Sequence, residues 1–201
     1  MSITDIQTPP QSIDHTANGM RLSAEEFDAL ENWEEGFRYE LIHGVLIVTP
    51  PAGPGERIPN DELGYLLRMY RDTSPHGHLL NDTAPEQEIQ IGENRRRADR
   101  TVWIGLGRRP DPLVDVPTIA IEFVSASGRD RHRDYVEKRD EYAQAGIREY
   151  WVIDRFRREM TVFRGTSEVV VAENEIYSTP LLPDFELPLS RLLAAADDYA
   201  E

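Results

Sequence analysis

Residues 118–154, with the sequence TIAIEFVSASGRDRHRDYVEKRDEYAQAGIREYWVID, decide the fold of this chain. The opening TIAIEFVSAS is a nearly continuous apolar run, which is typical of an interior strand covered on both faces. A helix is predicted over residues 131–145, because Gly146 can take the position that ends it, and REYWVID is a second apolar strand. A strand, a helix and a strand in this order predict a right-handed βαβ crossover.

Shorter helices and strands are predicted on both sides of this unit. The sequence RYELIHGVLIVTPP predicts a hairpin that turns at His43 and Gly44. Ser23 and Glu26 form a capping-box pattern that opens a short helix, and Asn60 is expected to begin a second helix. The last third of the chain predicts antiparallel strands and a final short helix. The predicted fold class is α/β (α+β), a mixed β-sheet flanked by helices with an antiparallel C-terminal portion.

Length and composition limit what the chain can be. At 201 residues it fits one domain, predicted over residues 20–201, while residues 1–19 lack apolar periodicity and are expected to form a flexible tail. The absence of cysteine excludes disulfides, a thiolate nucleophile and a cysteine-type zinc site, and the expected location is a reducing cytoplasm. No apolar run approaches the thickness of a bilayer, so no membrane association is expected.

The charge distribution bears on a nucleic-acid partner. A net charge of −15 should on average repel a polyanion, because non-specific binding relies on neutralising phosphates with lysine and arginine. Arginines nevertheless cluster in the sequence. Arg95, Arg96, Arg97 and Arg100 flank Asp99, Arg108 and Arg109 follow, and Arg129, Arg131, Arg133 and Arg139 surround the next candidate segment. These side chains are either ordinary solvated charges or a local basic rim around a site.

Glu122 is the most informative single residue, because it lies inside the apolar run TIAIEFVS. A carboxylate buried there loses its hydration, at a cost that a cation or a metal ion must compensate. Strand alternation places Ile119, Ile121 and Phe123 on one face and Glu122 with its small neighbours on the other. Glu122 is therefore either a site residue or half of a buried ion pair with an arginine.

Three further residues are candidates for the same site. Asp99 lies at the mouth of a strand, where it is either a turn residue or a second metal ligand paired with Glu122. Lys138 shares a helical face with Tyr142, so its ammonium group either points inward to the carboxylates or forms a surface pair. Glu40, on the first hairpin, is either a further metal ligand or an ordinary strand carboxylate.

These residues, taken with their surroundings, resemble a known family. The segments RLSAEEF, RYELIHGVLIVTPP, RRADRTVWI, IAIEFVSAS, DYVEKRDEYAQAGIREYWVID and LLPDFELPLSRLL are similar to the bacterial Uma family of "putative restriction endonucleases", within the PD-(D/E)XK nuclease superfamily. The resemblance covers about residues 20–193 and implies a restriction-endonuclease-like fold. It also implies that Asp99 and Glu122 are the metal-binding acids and that the lysine has moved from position 124, which is valine, to Lys138. Glu40 matches the acid of the family's Y-E-L-I motif.

The expected function is a metal-dependent endonuclease that hydrolyses phosphodiester bonds of nucleic acid, with DNA as the expected substrate. Asp99, Glu122 and Lys138 would be catalytic, and Asp99, Glu122 and Glu40 would bind Mg²⁺, with Mn²⁺ as a second cation that could serve. A homodimer would suit an enzyme that cuts two strands. The alternative is a catalytically silent nuclease-fold protein that works as an interaction or dimerisation module, with the same residues in a buried ion-pair network.

Overall fold

A computed structural model describes residues 13–125, 133–197 and 199 of the chain. The chain divides into two units. The first comprises the residues up to Pro51 together with Gly92–Arg96, and the second comprises Ala52–Ile91 and the residues from Arg97 onward. Each unit has its own apolar core.

The first unit is built around the predicted hairpin. It contains helix α1 (Ala24–Asp28) and strands β1 (Arg38–Ile42) and β2 (Val45–Thr49), which pair antiparallel. His43 and Gly44 both have positive φ, at 50° and 72°, as a tight turn between twisted strands requires. The capping box predicted from Ser23 and Glu26 is also present, so both local predictions are confirmed.

The described end of the predicted N-terminal tail, from Ile13 to Gly19, packs within the first unit. Ile13 is 2% exposed, and its backbone N–H donates to the carbonyl of Asn32 at 2.9 Å. Asp14 accepts a hydrogen bond from the backbone of Thr16 and caps a single 3₁₀ turn, His15–Ala17. Residues 1–12 of that predicted tail lie outside the described residues, and the extent of the domain remains a prediction.

The second unit contains the remaining elements. Its helices are α2 (Pro54–Thr73), α3 (Lys138–Gln144), which follows a π-helical turn at Arg133–Glu137, and α4 (Leu189–Asp197). Its strands are β3 (Leu80–Ile91), β4 (Asn94–Ile104, shared with the first unit), β5 (Ile119–Phe123), β6 (Glu149–Asp154), β7 (Glu159–Arg164), β8 (Ser167–Ala172), β9 (Ile176–Ser178) and β10 (Glu186–Pro188).

The strands of the second unit form a mainly antiparallel sheet in the order β3, β4, β5, β6, β7, β8. Strands β5 and β6 are parallel, with Ile121 opposite Trp151, whereas β5 is antiparallel to β4 and β7 is antiparallel to both β6 and β8. The predicted order of strand, helix and parallel strand is therefore confirmed for β5, α3 and β6. The predicted start of that helix, residues 131–132, lies outside the described residues.

The two faces of strand β5 meet different helices, as alternation predicts. Ile119, Ile121 and Phe123 belong to the core that α2 and α4 cover, whereas Ala120 and Val124 pack in a second cluster with α3. Glu122 lies between the last two and therefore shares the face that looks toward α3. The mixed α/β fold class is confirmed.

The beginning of helix α2 was predicted wrongly. The helix starts at Pro54 and not at Asn60, which lies two turns inside it and is 6% exposed. Pro54 is well tolerated because it occupies the first helical position. Pro59 lies inside the helix, where a proline lacks a backbone donor, so the sequence suggested that the helix begins only after it. Asn60 bonds sideways to the sheet and does not cap the helix. Among the described helices, none is long and apolar enough to cross a membrane.

Candidate active site

Lys138 and Glu122 form a buried contact. The ammonium Nζ lies 2.8 Å from Glu122 Oε1, and the side chains are 2% and 5% exposed. Lys138 also donates a hydrogen bond to the main-chain carbonyl of Arg97, on strand β4, at 3.1 Å. The first residue of α3 is thus bonded to both β5 and β4. The expected inward direction of Lys138 is what the structure shows.

Asp99 lies next to Glu122 on the neighbouring strand. Strands β4 and β5 pair with Arg100 opposite Ile121, so continuing this register brings Asp99 beside Glu122. The Asp99 carboxylate is 5% exposed, and its Oδ2 accepts a hydrogen bond from the backbone N–H of Phe123 at 2.7 Å. Elements from three parts of the second unit therefore bring Asp99, Glu122 and Lys138 to one place.

Tyr142 is a residue of the site whose part the sequence did not reveal. Its hydroxyl donates to Glu122 Oε1 at 3.1 Å, so this oxygen accepts hydrogen bonds from both Lys138 and Tyr142. The tyrosine is fully buried and packs edge-to-face on Tyr150, with ring centroids 5.0 Å apart. The helical spacing of Lys138 and Tyr142 predicted their common face, but only the fold shows that both reach the same oxygen.

Asn60 and Arg100 lie on the other side of Asp99 and were also missed. Asn60 donates from Nδ2 to the main-chain carbonyl of Asp99 at 2.8 Å and accepts at Oδ1 from Arg100 Nε at 2.6 Å. Arg100 is 1% exposed, and this burial lowers the pKa of its guanidinium to about 10. A buried asparagine inside a helix carries no local signal for such a role, because its partners lie on a distant strand.

Three of the four arginines that flank Asp99 in the sequence cannot belong to the basic rim considered there. Arg95, Arg96 and Arg100 are 7%, 0% and 1% exposed, so they cannot present charge to a polyanion. Arg95 is used inside the first unit, where its guanidinium makes two hydrogen bonds to the carboxylate of Asp28 at 2.6 and 2.7 Å. Arg97 is the half-buried member of the group. Clustering in sequence did not predict exposure, because residues of both faces of β4 are buried.

Glu40 lies in strand β1 of the first unit, opposite Ile47, and is 5% exposed. Its assignment as a metal ligand stays a prediction. The first unit also contains an exposed group of possible ligands, Asp14, His15 and Glu34, whose ligand atoms lie within 4.8 Å of one another. His15 Nδ1 and Glu34 Oε2 in this group are 2.7 Å apart, and this contact raises the pKa of the imidazole.

The side chains at the Asp99 site fit a hard divalent cation in their chemistry. Asp99 and Glu122 offer carboxylate oxygens, which Mg²⁺ and Mn²⁺ prefer, and Mg²⁺ is usually held by one or two carboxylates together with waters and phosphate oxygens. Both acids are buried, and each is oriented by a hydrogen bond from a fixed donor. In other metal sites, hydrogen bonds donated to a ligand by groups that do not touch the metal hold that ligand in place.

Glu149 provides an internal comparison, since it is another buried glutamate on the adjacent strand β6. Its carboxylate accepts hydrogen bonds from Arg164, Thr179, Trp151 and Tyr177 at 2.7 to 3.0 Å. Burial beside this carboxylate raises the pKa of the Tyr177 hydroxyl. Four donors to two oxygens is the pattern of a structural ion pair, with both oxygens satisfied by the protein itself.

Comparisons with known proteins agree with this fold. The family model Uma2, described as "Putative restriction endonuclease", matches residues 24–190. A crystal structure of a putative nuclease belonging to DUF820 from Anabaena variabilis superposes with a TM-score of 0.69 at 16% identity, covering 87% of this chain and 99% of that one. A search of curated proteins gives no match. Family and fold together indicate a restriction-endonuclease-like protein, and the chain belongs to the Uma2 family.

Proposed function

We propose that this protein is a metal-dependent endonuclease that hydrolyses phosphodiester bonds of nucleic acid, with DNA as its substrate. One observation carries the proposal, the buried contact of 2.8 Å between Lys138 Nζ and Glu122 Oε1 beside Asp99. Two acids that can hold a divalent cation, with an ammonium group beside them, are able to support metal-assisted phosphodiester hydrolysis. The Uma2 family and the nuclease fold support the same reaction class.

Each side chain has a distinct part in this proposal. Asp99 and Glu122 would hold Mg²⁺ or Mn²⁺, which when bound polarises the scissile phosphate and lowers the pKa of a water molecule. Lys138 orients the attacking water and stabilises the negative charge that develops on the phosphate. Tyr142 keeps the Glu122 carboxylate in one orientation through its hydroxyl. The hydrogen bond from Phe123 does the same for Asp99.

The partners follow from the same reaction. One site cleaves one strand at a time, so we extend the proposal to a homodimer for double-stranded DNA, located in the cytoplasm. Light scattering of the full chain with and without duplex DNA tests the dimer. A mass equal to one chain under both conditions would contradict it, without bearing on the chemistry of the site.

The function is tested with purified protein, labelled single-stranded and duplex oligonucleotides and plasmid, in Mg²⁺ or Mn²⁺ and with chelator as a blank. The site variants are Asp99→Asn, Glu122→Gln and Lys138→Met. Each should lower cleavage by about 100-fold or more, the usual scale for losing a group that stabilises the transition state.

Glu149→Gln is the matched control for Glu122→Gln. Both substitutions neutralise a buried glutamate in the second unit, but Glu149 belongs to the ion pair with Arg164. The control variant should keep its cleavage rate per folded molecule. Equal cleavage by wild type and by both Glu122→Gln and Lys138→Met would contradict the assignment of Glu122 and Lys138 as catalytic residues.

The alternative is a catalytically silent module in which Lys138 and Glu122 form a purely structural ion pair. It is favoured by the further hydrogen bonds of this pair, from Lys138 to the Arg97 carbonyl and from the Tyr142 hydroxyl to Glu122. Titration with Mn²⁺ followed by thermal unfolding separates the two. A cation that binds only the folded state must raise the unfolding temperature. A saturable rise that Asp99→Asn removes supports the metal site, and no rise supports the silent module.

A further inference from the structure

A buried polar cluster lies behind Asp99, on the side of the sheet that helix α2 covers. It consists of Asn60 on α2, Arg100 on β4 and Thr83 on β3. Arg100 donates from Nε to Asn60 Oδ1 at 2.6 Å and from Nη1 to Thr83 Oγ1 at 3.1 Å. All three residues are at most 7% exposed. Burying a guanidinium between two neutral acceptors costs desolvation free energy. We therefore expect Arg100 to have a structural role that offsets this cost.

The guanidinium fixes which way the Asn60 amide faces. A guanidinium only donates hydrogen bonds, so the amide must turn its oxygen toward Arg100. The NH₂ group then points to the other side, where it donates to the main-chain carbonyl of Asp99 at 2.8 Å. Arg100 thereby selects the single amide orientation in which Asn60 can bind the backbone of Asp99.

Gly64 makes room for this arrangement one turn further along α2. A Cβ atom at Gly64 would lie 2.6 to 2.8 Å from three atoms of the Arg100 guanidinium, closer than real contacts allow. The guanidinium therefore rests directly against the helix backbone. Its position is set by Gly64, Asn60 and Thr83 together, which leaves little freedom for the bond from Asn60 to Asp99.

We propose that Asn60, oriented by Arg100, is a positioning residue that holds the main chain at Asp99 and thereby sets the affinity of the site for its divalent cation. This inference rests on the proposed function. Asp99 is then fixed twice, at its carboxylate by Phe123 N–H and at its carbonyl by Asn60 Nδ2. A metal ligand held at its main chain and at its carboxylate needs less reorganisation when the cation binds, which is how groups behind a metal ligand raise affinity.

The substitution Asn60→Asp tests the inference with little change of shape. The aspartate keeps an oxygen for Arg100 and gains an opposite charge there, but it replaces the N–H donor with an oxygen facing the Asp99 carbonyl. Calorimetric titration of the full-length protein with Mn²⁺ should show affinity weakened roughly 10- to 100-fold. Asn60→Ser, which is too short to reach Asp99, should give a weakening in the same direction and guards against an effect of the new charge.

Tyr70→Phe is the matched control. Tyr70 also lies on α2, is 6% exposed like Asn60, and donates a hydrogen bond of 2.8 Å to a main-chain carbonyl, that of Pro183. The phenylalanine variant should lower stability while leaving Mn²⁺ affinity at the wild-type value. Urea unfolding in chelator shows that each variant is folded before titration.

The outcomes separate the two proposals. Mn²⁺ binding that needs Asp99 but is unchanged in both Asn60 variants overturns the positioning role alone. An equal loss in Tyr70→Phe also overturns it, because any loosening of α2 would then have the same effect. A wild-type protein without Mn²⁺ binding that depends on Asp99 overturns the proposed function and this inference together.

Discussion

The pair Lys138 and Glu122 allows a quantitative prediction. Their side chains are 2% and 5% exposed, so solvent screens the attraction between the two charges only weakly. Removing one partner of a buried ion pair costs about 3–5 kcal/mol, because the other charge stays desolvated. Lys138→Met keeps the length of the side chain and removes the ammonium group from Glu122 Oε1. We expect Lys138→Met to lose about 3–5 kcal/mol of unfolding free energy in chelator.

The double variant Glu122→Gln with Lys138→Met should recover most of that loss. A neutral pair leaves no buried charge behind, and replacing a buried ion pair with neutral groups is often neutral or stabilising. The coupling between the two positions should therefore reach about 2 kcal/mol or more, within the range of contacting residues.

Urea unfolding followed by tryptophan fluorescence and circular dichroism measures all four proteins of this cycle. With a slope of about 2 kcal/mol per molar urea, the single lysine variant should unfold at a midpoint roughly 1.5–2.5 M lower than wild type. A loss under about 1 kcal/mol, or a double variant that is merely the sum of the singles, would refute the reasoning that Glu122 is a charged group needing Lys138.

Three further predictions concern single residues elsewhere in the structure. Gly64→Ala should destabilise the protein by about 1–3 kcal/mol, because the added Cβ would displace the Arg100 guanidinium. This loss should exceed the gain from the better helix propensity of alanine, and thermal unfolding should show a lower midpoint. Gly55→Ala is the control, since the added Cβ would meet the half-buried side chain of Arg155, which can move away, and the loss of stability should be smaller. A loss equal to that of Gly64→Ala would contradict the explanation based on Arg100. Glu149→Gln should lose about 1–3 kcal/mol in urea unfolding, since the partner left behind, Arg164, is 33% exposed and can be hydrated. The variant should keep the wild-type rise of unfolding temperature with Mn²⁺, and loss of that rise would contradict its purely structural role. Ser23→Ala should cost about 1 kcal/mol, measured by urea unfolding, through loss of the capping box, and no change would show that the cap is not formed in solution.

Local pattern was enough to predict much of the fold. The alternation along residues 118–124 predicted that Glu122 lies on the face opposite Ile121, and helical spacing predicted that Lys138 points inward together with Tyr142. The structure shows both. The turn at His43 and Gly44 also followed from residue type. These predictions depend on backbone geometry that repeats every two or every 3.6 residues, so neighbouring residues carry all the information. The assignment of metal and substrate to the site is still a prediction.

Only the tertiary structure decided which polar groups meet. Asn60 lies 39 residues from Asp99 in the chain, and its place inside α2 gives no local sign of the bond between them. The burial of Arg95, Arg96 and Arg100 was equally hidden, because an arginine-rich stretch has the same composition whether water or the protein interior surrounds it. The sequence by itself determined the strand and helix faces and the acid in the apolar strand. The contacts that hold this acid and Asp99 depend on packing between distant segments, where each buried polar group must find a partner that no short-range pattern specifies.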